Sequence, residues 1–241
     1  MNFNALFEIS DPLGTRAFRG KWAASMDDAF AFSRRERVPE APVPVSWSMG
    51  TGTPSDIIWT GMVAPVILHE RVLEVFAEAQ VTGWCTYDVE VRDKKGQKVE
   101  GYYGLAVTGR CGARDLEKSE IILQEYPGGW APEFKGHFFD PESWDGSDLF
   151  METPDPAEPA SSFRFATEKF VKVLKRAKVS NLRFTPLPEV ITPILDYEIG
   201  SPHRLPKNLA SRVRAAYAEQ NVPMPDDVAE QLTTWATNRR P

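Results

Sequence analysis

Proline is the residue that most constrains how this chain can fold. Twenty of the 241 residues are proline, which lacks a backbone donor and disfavours a helical residue before it. We therefore expect short helices and strands joined by ordered loops. The prolines at positions 39, 42 and 44 predict an extended connector in the first quarter of the chain.

Length and composition indicate an ordinary globular protein. The content is 42% hydrophobic and 26% charged, and this length suits one large domain or two small ones. No apolar run is long enough for a membrane span, and the first ten residues do not form a signal peptide. Two cysteines make no disulfide framework, which predicts a cytoplasmic location. The net charge of −6 and pI of about 5.3 argue against nucleic-acid binding.

Hydrophobic periodicity predicts four helices. Residues 69–80 place Leu68, Val72 and Phe76 on one face. A second helix starts after Thr167, a good N-cap, and ends in a basic turn that complements the helix dipole. Two more helices, at 207–220 and 226–236, form a predicted C-terminal hairpin.

Alternating or branched apolar residues predict the strands. Asp93–Gly96 is a turn signal, so we expect an antiparallel pair around it. The predicted strands are residues 2–9, 57–59, 84–91, 102–108, 119–124, 162–165 and 181–184. The predicted fold is α+β, with antiparallel sheets, packed helices and a C-terminal helical hairpin. Its predicted domains are a body at 1–192 and a helical extension packed on it at 193–241.

Catalytic patterns are not evident in the sequence. The chain has three histidines and no nucleophile-elbow motif, so we predict no enzyme activity. His69 borders a predicted helix and suits a capping role, whereas His137, before an acidic passage, favours a structural role. Cys85 and Cys111 have no histidine at a readable spacing. No cofactor is predicted.

The most unusual passage is acidic and aromatic. Seven carboxylates and no Lys or Arg lie between Asp140 and Glu158, a local charge of −7 against −6 for the whole chain. Aromatic side chains that become buried on contact and carboxylates that attract positive charge are together typical of a surface that binds a basic partner. The alternative is a solvated acidic loop beside the core. The candidate partner-binding residues are Asp140, Glu142, Trp144, Asp145 and Asp148.

Several of these residues also have structural interpretations. Trp144 and Phe150 suit packing of the loop onto the helix after Thr167. Asp145 precedes Gly146, and Asp-Gly is a turn signal. Four of the carboxylates have oxygen ligands for a hard cation, but Trp144 stands where a calcium loop needs a ligand. No metal site is predicted.

Three stretches together resemble a known family. They are Pro54–Trp59, the Tyr87–Val91 strand leading to Gly101–Leu105, and Trp144–Phe150 with the helix that follows it and Val179–Phe184. The chain is similar over residues 1–190 to immunity proteins of bacterial polymorphic toxin systems. The nearest group is a large immunity family, first catalogued as a domain of unknown function and related to the double-CxxCG immunity proteins. The CxxCG pairs are absent here, so no zinc site is carried over.

This resemblance implies a cytoplasmic, non-enzymatic protein that binds a cognate toxin and neutralises it stoichiometrically. Many such toxins are nucleases with basic clefts, which an acidic inhibitor fits. Two other hypotheses remain open from the residues. One is a hydrolase that uses the loop carboxylates, alone or with a metal. The other is a scaffold that assembles through its helical tail.

Overall fold

The computed structural model describes residues 1–12, 16–61, 66–153, 163–200 and 202–237. Two acidic residues of the passage above, Asp155 and Glu158, lie outside these ranges, as does the start of the strand predicted at 162–165. Contacts divide the chain into two compact units. The first takes its described residues from Met1–Ala113, Asp140–Pro154 and Ala160–Pro186, and the second from Arg114–Phe139 and Leu187–Pro241.

Short elements alternate along the described chain, which confirms the predicted α+β fold. The helices are α1 (Met26–Ser33), α2 (Glu70–Glu78), α3 (Glu168–Arg176), α4 (Ile194–Gly200), α5 (Leu209–Gln220) and α6 (Asp226–Thr237). The strands are β1 (Leu6–Ser10), β2 (Arg19–Trp22), β3 (Val43–Met49), β4 (Ile57–Trp59), β5 (Val66–His69), β6 (Trp84–Arg92), β7 (Lys98–Val99), β8 (Tyr102–Val107), β9 (Gly109–Cys111), β10 (Glu120–Tyr126), β11 (Gly129–Lys135), β12 (Leu149–Glu152), β13 (Arg164–Thr167), β14 (Arg183–Pro186) and β15 (Ile191–Pro193).

The capping roles predicted for two side chains are confirmed. The His69 side chain accepts the backbone N–H of Arg71 at the start of α2, so its predicted capping role is correct. Thr167 accepts the N–H of Phe170 at the start of α3. The prediction for residues 2–9 is wrong at its start, because Phe3–Ala5 forms a 3-10 turn and the strand begins at Leu6.

The largest sheet of the first unit closes on itself. Its order is β3-β2-β4-β5-β8-β6-β7, and β3 also pairs with β6. The pairings of β2 with β4 and of β3 with β6 are parallel, so the sheet is mixed. Closure removes exposed sheet edges, and Val45, Ile58, Ile67 and Val91 share one buried cluster of it. Pro44 lies within β3, so the predicted connector is partly a strand.

The predicted antiparallel pair around Asp93–Gly96 is confirmed. The end of β6 pairs antiparallel with β7, and the start of β6 pairs antiparallel with β8. The register shifts by one residue between the Val91–Val99 pair and the Asp88–Tyr103 pair. Gly101, between the two return strands, has φ +80°, a backbone conformation that favours glycine.

A five-stranded sheet carries the candidate site. Its order is β14-β1-β13-β12-β9, with β9 and β12 parallel. Helices α2 and α3 pack beside it, and the rings of Phe76 and Phe170 lie 5.1 Å apart. Ile9, Leu149 and Ala166 of the sheet belong to the same buried cluster as these two rings. The strand β9 is one edge of this sheet.

The second unit combines a three-stranded sheet with helices. The strand order is β10-β11-β15, and α5 and α6 supply Val213, Tyr217 and Leu232 to a core shared with Leu123 and Phe134. The predicted pair of C-terminal helices is therefore present. The domain boundary at residue 192 stays a prediction.

Candidate functional site

Residues 140–148, here called the acidic loop, begin with a capped 3-10 turn at Pro141–Ser143. The Asp140 carboxylate accepts the backbone N–H of Glu142 over 3.1 Å. Such a cap satisfies a donor that the turn leaves unpaired. Asp140 therefore fixes the first turn of the loop with its own side chain.

The middle of the acidic loop covers the edge of β9. The N–H of Asp145 donates to the carbonyl of Arg110 over 3.0 Å, and the N–H of Arg110 donates to the Asp145 carboxylate over 2.8 Å. The N–H of Gly112 donates to Ser143 Oγ over 2.8 Å. These bonds satisfy edge groups that a partner strand would otherwise use.

Asp145 also has the predicted turn role. Its carboxylate accepts the N–H of Ser147 over 2.9 Å, and Gly146 has φ +83°. A side chain that accepts from the second residue along the chain is an Asx-turn.

Asp148 ends the loop inside the protein. Only 7% of the residue is exposed. Its carboxylate accepts the side chain of Lys169 over 2.8 Å, the N–H of Thr82 over 3.1 Å and the hydroxyl of Thr167 over 3.0 Å. The Asp148 carboxylate thus joins Thr82, in the loop between α2 and β6, to the start of α3.

These bonds decide the protonation state of Asp148. Burial alone raises the pKa of its carboxyl group, but the hydrogen bonds from Lys169 and the two threonines, with the charge of Lys169, outweigh burial. The net pKa is lowered, so the carboxylate is charged at neutral pH.

The chain after Asp148 runs very close to Gly83. A Cβ atom at Gly83 would lie 1.9 Å from the carbonyl oxygen of Leu149, and φ at Gly83 is +87°. Only glycine fits this position without movement of the backbone. The end of the acidic loop is therefore fixed by packing as well as by hydrogen bonds.

Aromatic rings hold the loop against the five-stranded sheet. Trp144 lies 5.4 Å from Phe150 of β12, and Phe150 lies 5.6 Å from Phe165 of β13. Trp144 and Phe150 were predicted to pack the loop onto the helix after Thr167, whereas these ring contacts join the loop to strands β12 and β13. Trp144 remains partly exposed.

The five predicted partner-binding residues thus lie in one loop but differ in access. Asp140, Glu142 and Asp145 are exposed, Trp144 is intermediate and Asp148 is buried. Three residues that support the loop from outside it were not predicted: Thr82, Arg110 and Lys169. No local pattern marks them, because they lie far from the loop along the chain.

The other chemical candidates are placed differently. His137 is fully buried in the second unit, where its backbone N–H donates to Leu187. Burial raises the pKa of the Cys111 thiol, as do the nearby carboxylates of Glu152 and Asp145. A thiol with a raised pKa is a poor nucleophile at neutral pH.

Metal-ligating residues do not cluster in the part of the chain that the structure describes: no group of three or more His, Cys, Asp or Glu could hold an ion. A pocket of about 100 Å³ lies in the first unit, beside Asp11, Trp59 and Arg164. Among the described helices, none has the length and hydropathy to cross a membrane.

The fold and the loop together define a protein that presents a fixed acidic surface from an α+β body. The chain belongs to the immunity protein family (Imm11), whose model matches residues 11–189. A comparison with curated proteins gave no match. Membership confirms the family resemblance seen in the sequence. It implies an immunity protein acting against a cognate toxin, and an inhibitor rather than an enzyme.

Proposed function

We propose that this chain neutralises its cognate toxin in the cytoplasm by stoichiometric binding, as part of a bacterial polymorphic toxin system. The acidic loop is the proposed contact surface, and a basic, nuclease-type toxin domain is the proposed partner. Asp140, Glu142, Trp144 and Asp145 would touch the toxin. Asp148 would act from inside the fold by holding the loop in its binding shape.

The observation that carries this proposal is the preformed shape of the loop. Backbone bonds to Arg110, the Ser143–Gly112 bond and the buried Asp148 fix its course before any partner arrives. A binding surface that is already ordered does not lose loop entropy on association, so more of the contact energy appears as affinity.

Charge and aromatic surface add to this support. No Lys or Arg lies within residues 140–148, so the loop attracts a basic surface over a distance of about one Debye length. Such steering raises association rates more than it raises affinity. Fast capture is an advantage for an inhibitor of a toxin.

The first test is co-expression with the toxin encoded beside this chain. We expect cells to survive only when both proteins are made, and the purified pair to co-elute at a 1:1 ratio. Survival of cells that make the toxin without this chain, or separate elution of the two proteins, would overturn the proposal.

The second test asks whether the loop is the contact surface. Glu142 is exposed and its carboxylate is not used in the loop's own bonds, so Glu142→Lys changes charge with little effect on the fold. We expect association to slow by about two- to fivefold at low salt, which corresponds to about 0.5–1 kcal/mol, and the difference to shrink at high salt. The matched control is Glu125→Lys, an exposed reversal on β10. Equal rates for both variants at all salt concentrations would remove the loop from the interface.

A further inference from the structure

Helix α2 carries an exposed acidic stripe formed by Glu70, Glu74 and Glu78. The spacing of four residues places these side chains one above the other on the same face. Across the described ranges, none of the three forms an ion pair. The stripe is therefore an unpartnered charged face of the helix.

Glu74 and Glu78 of the acidic stripe do not help α2 to form, whereas Glu70, in the first turn, suits the positive end of the helix dipole. Like charges four residues apart destabilise a helix by about 0.2–0.5 kcal/mol per pair. Glu78 also lies in the last turn of α2, which has no basic residue, and a carboxylate there opposes the helix dipole. Helix formation therefore does not explain the presence of Glu74 and Glu78.

Helix α3 carries the opposite charge. Lys172, Lys175 and Arg176 form an exposed basic stripe on it. Lys172 pairs with Glu168 over 2.8 Å, and the Lys175 ammonium lies 6.0 Å from the Phe184 ring centre. Within the described part of the chain, Lys175 and Arg176 have no carboxylate partner.

The two helices lie side by side and run antiparallel. Arg71, in the first turn of α2, donates to the carbonyl of Ala177 after the end of α3 over 3.0 Å. Lys169, in the first turn of α3, donates to the carbonyl of Gln80 beyond α2 over 2.9 Å. The acidic and basic stripes therefore lie on two neighbouring antiparallel helices of the first unit.

We propose that the α2–α3 face binds a second copy of this chain in a two-fold symmetric dimer. A two-fold interface uses the same patch on both subunits, so that patch must be complementary to itself. Adjacent acidic and basic stripes meet this condition, because a two-fold rotation places the α2 stripe of one copy opposite the α3 stripe of the other. This proposal does not depend on the toxin or on the acidic loop.

The size of the face sets the strength of the dimer. Each helix has nine residues and is about 14 Å long, so the pair covers less than the roughly 800 Å² per partner of a standard stable interface. Most of the attraction comes from exposed charges, which salt screens. The dimer is therefore weak and salt-sensitive.

Sedimentation of the full chain without toxin tests the dimer. We expect a monomer–dimer equilibrium at low salt that shifts at least tenfold toward monomer at high salt. A monomer at all concentrations and low salt would overturn the proposal, and so would a dimer that salt does not weaken.

Two charge-reversal variants identify the face. One variant, Glu74→Lys with Glu78→Lys, makes the α2 stripe mainly basic like the α3 stripe, and the other, Lys175→Glu with Arg176→Glu, makes the α3 stripe mainly acidic like the α2 stripe. Each should be monomeric alone because it repels itself, and a mixture of the two should form a heterodimer. Exposed reversals elsewhere in the chain, Lys95→Glu and Glu125→Lys, serve as controls and should leave the native dimer unchanged.

The outcome of mixing is decisive because folding can be checked separately. Circular dichroism of each variant should match that of the native chain. Glu74→Lys with Glu78→Lys keeps a like-charged pair at positions 74 and 78 but ends the repulsion between positions 70 and 74, so its free energy of unfolding should stay close to native. Lys175→Glu with Arg176→Glu should be less stable but still folded, because carboxylates in the last turn of α3 oppose the helix dipole. If both folded variants remain monomeric when mixed, or if the controls abolish the dimer equally, the α2–α3 face is not the interface.

Discussion

The two ends of the acidic loop use the same kind of side chain for different purposes. At its end, Asp148 is buried and accepts bonds from Lys169, Thr82 and Thr167. Near its start, Glu142 is exposed and its carboxylate takes no part in the bonds that shape the loop. Asp145 is intermediate, since it is exposed but also accepts two backbone N–H groups.

The buried carboxylate therefore shapes the acidic loop, whereas exposed carboxylates are available for contact with the toxin. Replacing a carboxylate that holds the loop should lower the stability of the fold, and it should weaken toxin binding only because the loop loses its shape. A carboxylate that only faces solvent should affect binding alone. Substitutions along the loop can test this difference, because each position has its own expected ratio of stability loss to loss of toxin binding.

The largest expected effect is at Asp148. Asp148→Ala removes the hydrogen bonds of the carboxylate and leaves the Thr82 N–H and the Thr167 hydroxyl without this acceptor, while the backbone bonds of residue 148 remain. We expect the free energy of unfolding to fall by about 2–4 kcal/mol, measured by urea denaturation. Asp148→Asn, which keeps the shape and an acceptor, should lose clearly less. Equal stability of the native chain and Asp148→Ala would contradict an internal role for this carboxylate.

Acidification should also lower the stability that the Asp148 carboxylate provides, by an amount similar to or smaller than the loss in Asp148→Ala. The pKa of Asp148 is lowered in the folded chain, so its contribution to stability is present above the unfolded-state pKa of about 3.9. That contribution is lost as the pH falls through the lower folded-state pKa. The stability difference between the native chain and Asp148→Asn should therefore shrink between pH 6 and pH 2. A difference that stays constant over this range would be inconsistent with the lowered pKa.

A smaller stability loss is expected at Asp145. Asp145→Ala removes the acceptor for the N–H groups of Arg110 and Ser147 but keeps the backbone bond from residue 145 to Arg110. We expect a loss of about 1 kcal/mol and faster hydrogen exchange at the Arg110 amide. The matched comparison is Asp145→Asn, which retains one acceptor oxygen. Unchanged exchange at Arg110 in the alanine variant would show that the side-chain bond does not hold the strand edge.

The smallest stability effect is expected at Glu142. Glu142→Gln removes one exposed charge and should change the free energy of unfolding by less than about 0.5 kcal/mol. The same variant should slow association with the toxin at low salt. A stability loss as large as that of Asp145→Ala would end the distinction between the two parts of the loop.

Local signals in the sequence were enough for some of this structure. Helix α3 was predictable because Thr167 caps its start and basic residues fill its last turn. The turn role of Asp145 followed from the Asp-Gly pair. These features depend on neighbours within a few residues, where periodicity and capping preferences are informative.

Long-range contacts were not predictable in the same way. The closed sheet depends on short strands such as β2 and β5 and on the pairing of β3 with β6, which no local pattern specifies. Asp148 looked like the other loop acids, because its partner Thr82 is 66 residues away and Lys169 is 21 residues away. A single sequence shows that a carboxylate is present but not which donor meets it.

Hydrogen exchange of the toxin-bound chain tests the central claim most directly. We expect the amides of Arg110 and Asp145 to be protected already in the free chain, since the loop is preformed. We also expect the amides of residues 140 and 142–146 to exchange more slowly in a 1:1 complex with the toxin encoded beside this chain. Unchanged exchange across the loop in a complex that neutralises the toxin would contradict the account, because the interface would then lie elsewhere.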